Sequence, residues 1–149
     1  MGTIFEALRL DHDDQRDLLE RLDATEGDSK TRRELFERLR TELEAHAAIE
    51  ERVFYASLLG EKQGRKQAAH SIGEHEEQRS ALEELGETDY SSPGWLVAFR
   101  KLRHRVEHHV DEEEREIFPL AGRLMDESEK AEMAERFYRE KKRAVAERS

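Results

Sequence analysis

The chain has 149 residues, 42% of them charged and 36% apolar, with a net charge of −10 at pH 7 when histidine is counted neutral. That length suits one globular domain, and the acidic balance argues against general binding to nucleic acid or to an anionic membrane. The absence of cysteine excludes disulfides, thiolate catalysis, cysteine-ligated zinc and iron–sulfur clusters.

Two prolines and eight glycines are too few for a turn-rich sandwich, and the chain divides into helical segments separated by polar breaks. The first is predicted from about Thr3 to Thr25, ending in Glu26-Gly27-Asp28-Ser29, which supplies a stop glycine and a capping serine. The second runs from about Lys30 to Leu59 before Gly60. The third covers roughly Lys62 to Leu85, with Gly64 and Gly73 as weak points inside it. Ser92-Pro93, a cap residue and a proline at the first helical position, announces a fourth that continues to about Met125. Asp126 to Ser128 offers a further cap, and Glu129 to about Glu147 reads as a fifth, amphipathic helix. No stretch approaches the ~20 apolar residues of a membrane span. Met1 to Leu10 have neither the basic start nor the apolar centre of a signal peptide, so the expected location is the cytoplasm.

Each of the first four segments carries an inward seam. Phe5, Leu8, His12, Gln15, Leu19 and Leu22 alternate steps of three and four. The same stepping joins Leu39, Leu43, His46, Glu50 and Val53; Ala68, Ile72, His75, Arg79 and Leu82; and Trp95, Phe99, Leu102, Val106, His109 and Glu113. Such steps mark helices packed nearly parallel to their neighbours. With short links they imply an all-α, antiparallel up-down-up-down four-helix bundle over residues 1–125, with an additional C-terminal amphipathic helix over 126–149.

Every seam holds a histidine near its middle, and two add a glutamate one turn later. Antiparallel packing brings His12, His46, Glu50, His75, His109 and Glu113 to one level of the core. Burying these groups without partners costs several kcal/mol for each unpaired charge. A metal centre removes the conflict, since imidazole and carboxylate are ligands for iron, manganese or zinc. Six donors are too many for one tetrahedral zinc, whereas two ions bridged by Glu50 and Glu113 use all of them. The same His-x-x-x-Glu spacing recurs in His70/Glu74 and His108/Glu112. Those pairs lie off the seams, on charged faces, and are expected to be solvated surface.

The second segment reads His46-Ala-Ala-Ile-Glu50-Glu51-Arg-Val-Phe54-Tyr55, and the fourth His109-Val-Asp-Glu-Glu113-Glu114-Arg-Glu-Ile-Phe118-Pro119. Together with Asp11-His12 and Glu74-His75-Glu76, these residues resemble the hemerythrin-like family of HHE cation-binding domains, over about residues 3 to 125. The resemblance implies a non-haem di-iron centre, with an oxo or hydroxo bridge, that binds oxygen or related small oxidants. Carried over position by position, its metal ligands are His12, His46, Glu50, His75, His109 and Glu113. Oxygen-carrying hemerythrins resemble one another in a further histidine four residues along the third helix, where this chain has Arg79. They also place an aspartate five residues after the fourth-helix histidine, where this chain resembles the HHE type with Glu113. Arg79 has two readings, pairing a carboxylate behind the ligands or snorkelling to the bundle end. For Tyr55, packing is expected over contact with the metal layer.

The implied function is binding or sensing of oxygen, nitric oxide or peroxide. The alternatives are a di-iron redox enzyme (peroxide removal or ferroxidase-like) and a metal-stabilised structural module. No Glu-x-x-His pair of the ferritin-like type occurs, which argues against iron storage or oxygenase chemistry. The last segment presents Ala131, Ala134, Phe137, Tyr138 and Val145 on one side, to pack across the bundle or to join two copies as a homodimer. Its basic end, Lys141-Lys142-Arg143, is too short for a nucleic-acid site.

Overall fold

The structure is a computed structural model that describes residues 2–147. Five helices account for it. Helix α1 is Ile4–Asp23, capped by Thr3, whose hydroxyl accepts from the Glu6 amide. Helix α2 starts at Lys30 behind the Ser29 cap, is α-helical through Lys30–Glu50, widens into a π-helical turn at Glu51–Tyr55 and resumes as Ala56–Leu59. Helix α3 is Arg65–Gly86. Helix α4 repeats the pattern of α2, with Pro93–Glu112, a π turn at Glu113–Ile117, and Phe118–Leu124. Helix α5 is Glu127–Ala146, opened by a capping box in which Asp126 accepts from the Glu129 amide and the Glu129 side chain accepts from the Asp126 amide.

The architecture is the up-down-up-down bundle. Helix α1 packs along α2 and α3 along α4, the two hairpins close through α1 against α4 and α2 against α3, and α5 lies on α1 and α2. Among the described residues no helix is long and apolar enough to cross a membrane.

The largest boundary difference has a packing reason. The third helix begins at Arg65, not Lys62, because residues 61–64 form the tight link that follows α2. Gly64 caps it, pressed so closely on the bundle that a Cβ there would lie 2.4 Å from Leu58 Cδ1. Gly27 is needed in the α1–α2 link, where φ is +58°.

The core falls into two apolar clusters. One gathers Phe5, Leu8, Phe54, Leu58, Phe118 and Phe137, the other Leu19, Leu39, Leu82, Trp95, Phe99 and Leu102. At the far end of the second, Arg32 is buried. Its guanidinium donates to Thr25 Oγ1, Thr25 O and Tyr90 O at 2.9, 2.8 and 2.8 Å and lies 4.4 Å from the Trp95 ring centroid, tying the α1–α2 link to the α3–α4 link. The polar layer of the seams runs between the two clusters.

Candidate metal centre

The six seam donors meet. His12, Glu50 and Glu113 have no exposed surface, and His46, His75 and His109 are 3–4% exposed. The donor atoms form two overlapping groups of four: His12, His46, Glu50 and Glu113, and His75, His109, Glu50 and Glu113. Within each, the atoms all lie within 4.8 Å of one another. His12 Nε2 is 3.0 Å and His109 Nε2 3.4 Å from the Glu113 carboxylate; His75 Nε2 is 3.1 Å and His46 Nε2 3.5 Å from that of Glu50. Each glutamate thus faces both groups, as a bridging carboxylate does.

None of these close approaches is aligned as a hydrogen bond. All four Nε2 atoms, both Glu50 oxygens and Glu113 Oε1 are buried without a partner among the described residues. Orphaned polar atoms carry a cost of about 1–3 kcal/mol each, and here they converge on two shared points. Four imidazole nitrogens and two carboxylates form a donor set that fits transition-metal ions.

The other ring nitrogen of each histidine is held by a carboxylate from a different helix. His12 Nδ1–H donates to Glu114 at 2.7 Å, His46 to Asp11 at 2.8 Å, His75 to Glu51 at 2.8 Å and His109 to Glu74 at 2.7 Å. Such bonds fix the tautomer that leaves Nε2 free for a metal and raise its basicity. Arg16 anchors Glu114 in turn, with contacts of 2.9 and 3.2 Å. Lys141 of α5 reaches Asp11 at 2.8 Å and Glu42 at 2.6 Å. These supporting residues were not predicted. Their signal is adjacency: Asp11, Glu51, Glu74 and Glu114 each neighbour a donor in the chain and serve a histidine on another helix.

Imidazoles and carboxylates this close bias one another's protonation. Burial opposes charge on His46, but Glu50 and the Asp11 hydrogen bond outweigh it and lift its pKa to about 10. His109 is likewise raised well above its ordinary value, against burial, by Glu113. Burial would raise Glu113, yet His109 and His12 hold it well below the usual carboxylate range. The hydrogen bond from His12, with Arg16 beyond it, brings Glu114 to about 2. A metal bound here would displace the protons that these pairs hold.

One expectation is corrected, and the choice left open for Arg79 is narrowed. Tyr55 is fully buried and donates its hydroxyl hydrogen to Glu113 Oε2, so it does reach the polar layer. Burial, then the Glu113 and Glu50 carboxylates, raise its pKa well above that of a free phenol. The π turn is the reason: closing the turn over five residues sets Tyr55 beneath Glu50 on the inner face. Arg79 does not back the ligands; its half-exposed side chain pairs with Glu76 on the surface.

The donors also repeat. Asp11, His12, Gln15, His46, Glu50 and Glu51 recur 63 residues later as Glu74, His75, Gln78, His109, Glu113 and Glu114. The two helical hairpins are copies of one pattern, and the centre lies where they meet.

The profile of the hemerythrin HHE cation-binding domain matches residues 3–121. The chain belongs to that family. No curated protein gives a significant match. A crystal structure of a hemerythrin HHE cation-binding domain-containing protein from Mycobacterium kansasii is similar over 98% of this chain and 90% of that one, with 26% identity and a TM-score of 0.87. The family profile stops before α5, whereas the structural likeness spans nearly the whole chain. As a hemerythrin HHE domain the protein is a cation-binding bundle, and its buried histidines and glutamates are suited to hold the metal.

Proposed function

We propose that this hemerythrin HHE domain holds two iron ions, ligated by His12, His46, Glu50, His75, His109 and Glu113, and uses them to bind or sense oxygen, nitric oxide or peroxide. The observation that carries the reading is the pair of overlapping donor groups, sharing two glutamates and pointing four unpaired Nε2 atoms inward. Iron in such a nitrogen- and oxygen-donor site supplies electron exchange with a small oxidant.

The protein's own contribution is orientation and shielding. The four Nδ1 bonds lock the imidazoles, and the apolar clusters on either side exclude bulk water. Gln15 and Gln78 lie one turn beyond His12 and His75, both buried with amide nitrogens unpaired, and offer donors to a small polar ligand. Six protein donors would not fill the coordination of two ions, which would leave room for that ligand. With Arg79 on the surface, no fifth histidine closes it.

Optical spectroscopy tests this. Oxidised protein should show ligand-to-metal charge-transfer absorption that changes on adding azide or peroxide. Reduced protein exposed to air should pass to the ferric state instead of holding oxygen reversibly, because no fifth histidine closes the coordination position left for the ligand. An iron-loaded protein whose spectrum ignores azide and peroxide would overturn the proposal.

One observation favours a second reading, an enzyme that removes peroxide. The Tyr55 hydroxyl, bonded to Glu113, is a buried proton donor at the centre. Turnover of peroxide by wild-type protein and its loss in Tyr55→Phe would select this reading.

A further inference from the structure

The two His-x-x-x-Glu pairs expected to be separate surface features face each other across the open groove between α3 and α4. His70 Nε2 lies 2.9 Å from Glu112 Oε1 and 3.5 Å from Glu74 Oε2. His108 Nε2 lies 3.3 Å from Glu112 Oε2 and 3.9 Å from Glu74 Oε2. Donor atoms of His70, Glu74 and Glu112 all fall within 4.8 Å of one another. Both imidazoles are exposed and both carboxylates partly buried.

The internal repeat gives this cluster a comparison within the same chain. The equivalents of His70, Glu74, His108 and Glu112, 63 residues earlier, are Ala7, Asp11, Ala45 and Ile49. Helix α5 lies over that face, and the Lys141 ammonium sits 2.8 Å from Asp11. One half therefore supplies its own cation to the carboxylate behind a centre histidine. In the other half, among the described residues, neither Glu74 nor Glu112 has a lysine or arginine partner. Arg105, in the same groove, is engaged by Glu77 at 2.8 Å.

We propose that His70, Glu74, His108 and Glu112 form a surface site for a divalent transition-metal ion, distinct from the buried centre. Two imidazoles and two carboxylates suit zinc, cobalt or ferrous iron; magnesium and calcium prefer oxygen donors throughout. Each helix presents its pair one turn apart on one face; His70, Glu74 and Glu112 already converge, and only His108 has to close in. Solvent access makes the ion exchangeable. Glu74 is shared: its Oε1 accepts from His109 Nδ1 at 2.7 Å, while its Oε2 faces the surface site. An ion in the groove thus pulls on the carboxylate that orients a centre histidine.

Cobalt(II) titration of protein already carrying its resident metal tests the site, with visible absorption and bound metal per chain as readouts. Wild type should take up one extra equivalent. The His70→Ala/His108→Ala double variant should lose it or bind at least tenfold more weakly, with its resident metal and melting curve unchanged. His104→Ala, in the same groove but outside the cluster, should retain it. Equal uptake by wild type and the double variant, or no extra uptake by wild type, would overturn the site. The comparison is between variants at the surface, so it stands whether or not the centre holds two irons.

Discussion

The two hairpins place the same donors at the same heights and wrap them differently. In each, a histidine, a second histidine and a glutamate one turn later come from positions that repeat at 63 residues. Around them, the α1–α2 hairpin is roofed by α5, which adds Lys141 over Asp11 and Phe137 against His46. The α3–α4 hairpin has an open groove at the matching place. Arg16 clamps Glu114, whereas its repeat Arg79 turns outward to Glu76. Beneath Glu113 lies a phenol, Tyr55; the repeat of Tyr55 is Phe118, stacked on His12. The donors are set by the seam of the bundle, while the features that distinguish one donor group from the other are set one layer further out.

The strongest test removes what the halves share. Glu50 and Glu113 belong to both donor groups, whereas each histidine belongs to one. Glu113→Ala should therefore lower metal content at both positions and abolish the metal spectrum, while His46→Ala should spare the His75/His109 position. Metal analysis per chain distinguishes them, and an unchanged spectrum in Glu113→Ala would refute the ligand register. Chelation extends the test to stability. Ions that bind only the folded state add about 4 kcal/mol per site when present at a thousand times their dissociation constant. Metal-free protein should melt well below the loaded form; coincident melting curves, with metal loss confirmed, would count against a buried site.

Next in size is the carboxylate behind each histidine. Asp11→Asn and Glu74→Gln keep the shape and remove the charge that holds His46 and His109. Loss of such a partner costs about 10- to 100-fold in metal affinity. The repeat predicts that each variant weakens only the position its histidine serves, measurable as a split in a competition titration.

How far the sequence carries this comparison differs by layer. Helix ends marked by Thr3, Ser29, Ser92-Pro93 and Asp126 are legible because a cap is a local act of one or two residues. His12, His46, Glu50, His75, His109 and Glu113 come together because step spacing alone aims them inward. The four Nδ1 partners escaped because each lies on another helix from its histidine, so no spacing within one helix reveals them. Tyr55 was misread because the seam rule assumes an unbroken α-helix; the π turn at Glu51–Tyr55 shifts the register just after the glutamate. That turn, and its copy at Glu113–Ile117, leaves no mark in the residue pattern.

A smaller effect comes from α5. Lys141 is mostly buried against Asp11 and Glu42, and burial works against its charge while the two carboxylates hold its pKa above the ordinary value. Lys141→Met should leave Asp11 with only His46 to balance it, at a cost of about 1–2 kcal/mol after allowing for the remaining solvent contact. The expected result is a lower melting temperature and weaker metal binding at the His12/His46 position alone. Equal weakening at both positions would mean that α5 acts through the whole bundle and not through Asp11.

The smallest effect on metal content, and the most specific, should come from making the two halves alike at Tyr55. Tyr55→Phe places at position 55 the phenyl ring that its repeat, Phe118, already carries, and removes the hydroxyl bonded to Glu113 Oε2. Ring packing against Phe54 and His75 is kept. The lost hydrogen bond is worth about 1–3 kcal/mol, because it leaves a buried carboxylate oxygen unpaired. Metal content should stay within error of wild type. What should move is the charge-transfer absorption and its response to peroxide, since a donor to one carboxylate oxygen withdraws charge from the metal side of that group. The reverse variant, Phe118→Tyr, should shift the same bands by adding a phenol on the other side, provided metal content again holds. Wild-type spectra and peroxide response in both variants, with full metal content, would show that Tyr55 only fills space and that the difference between the halves ends at the surface.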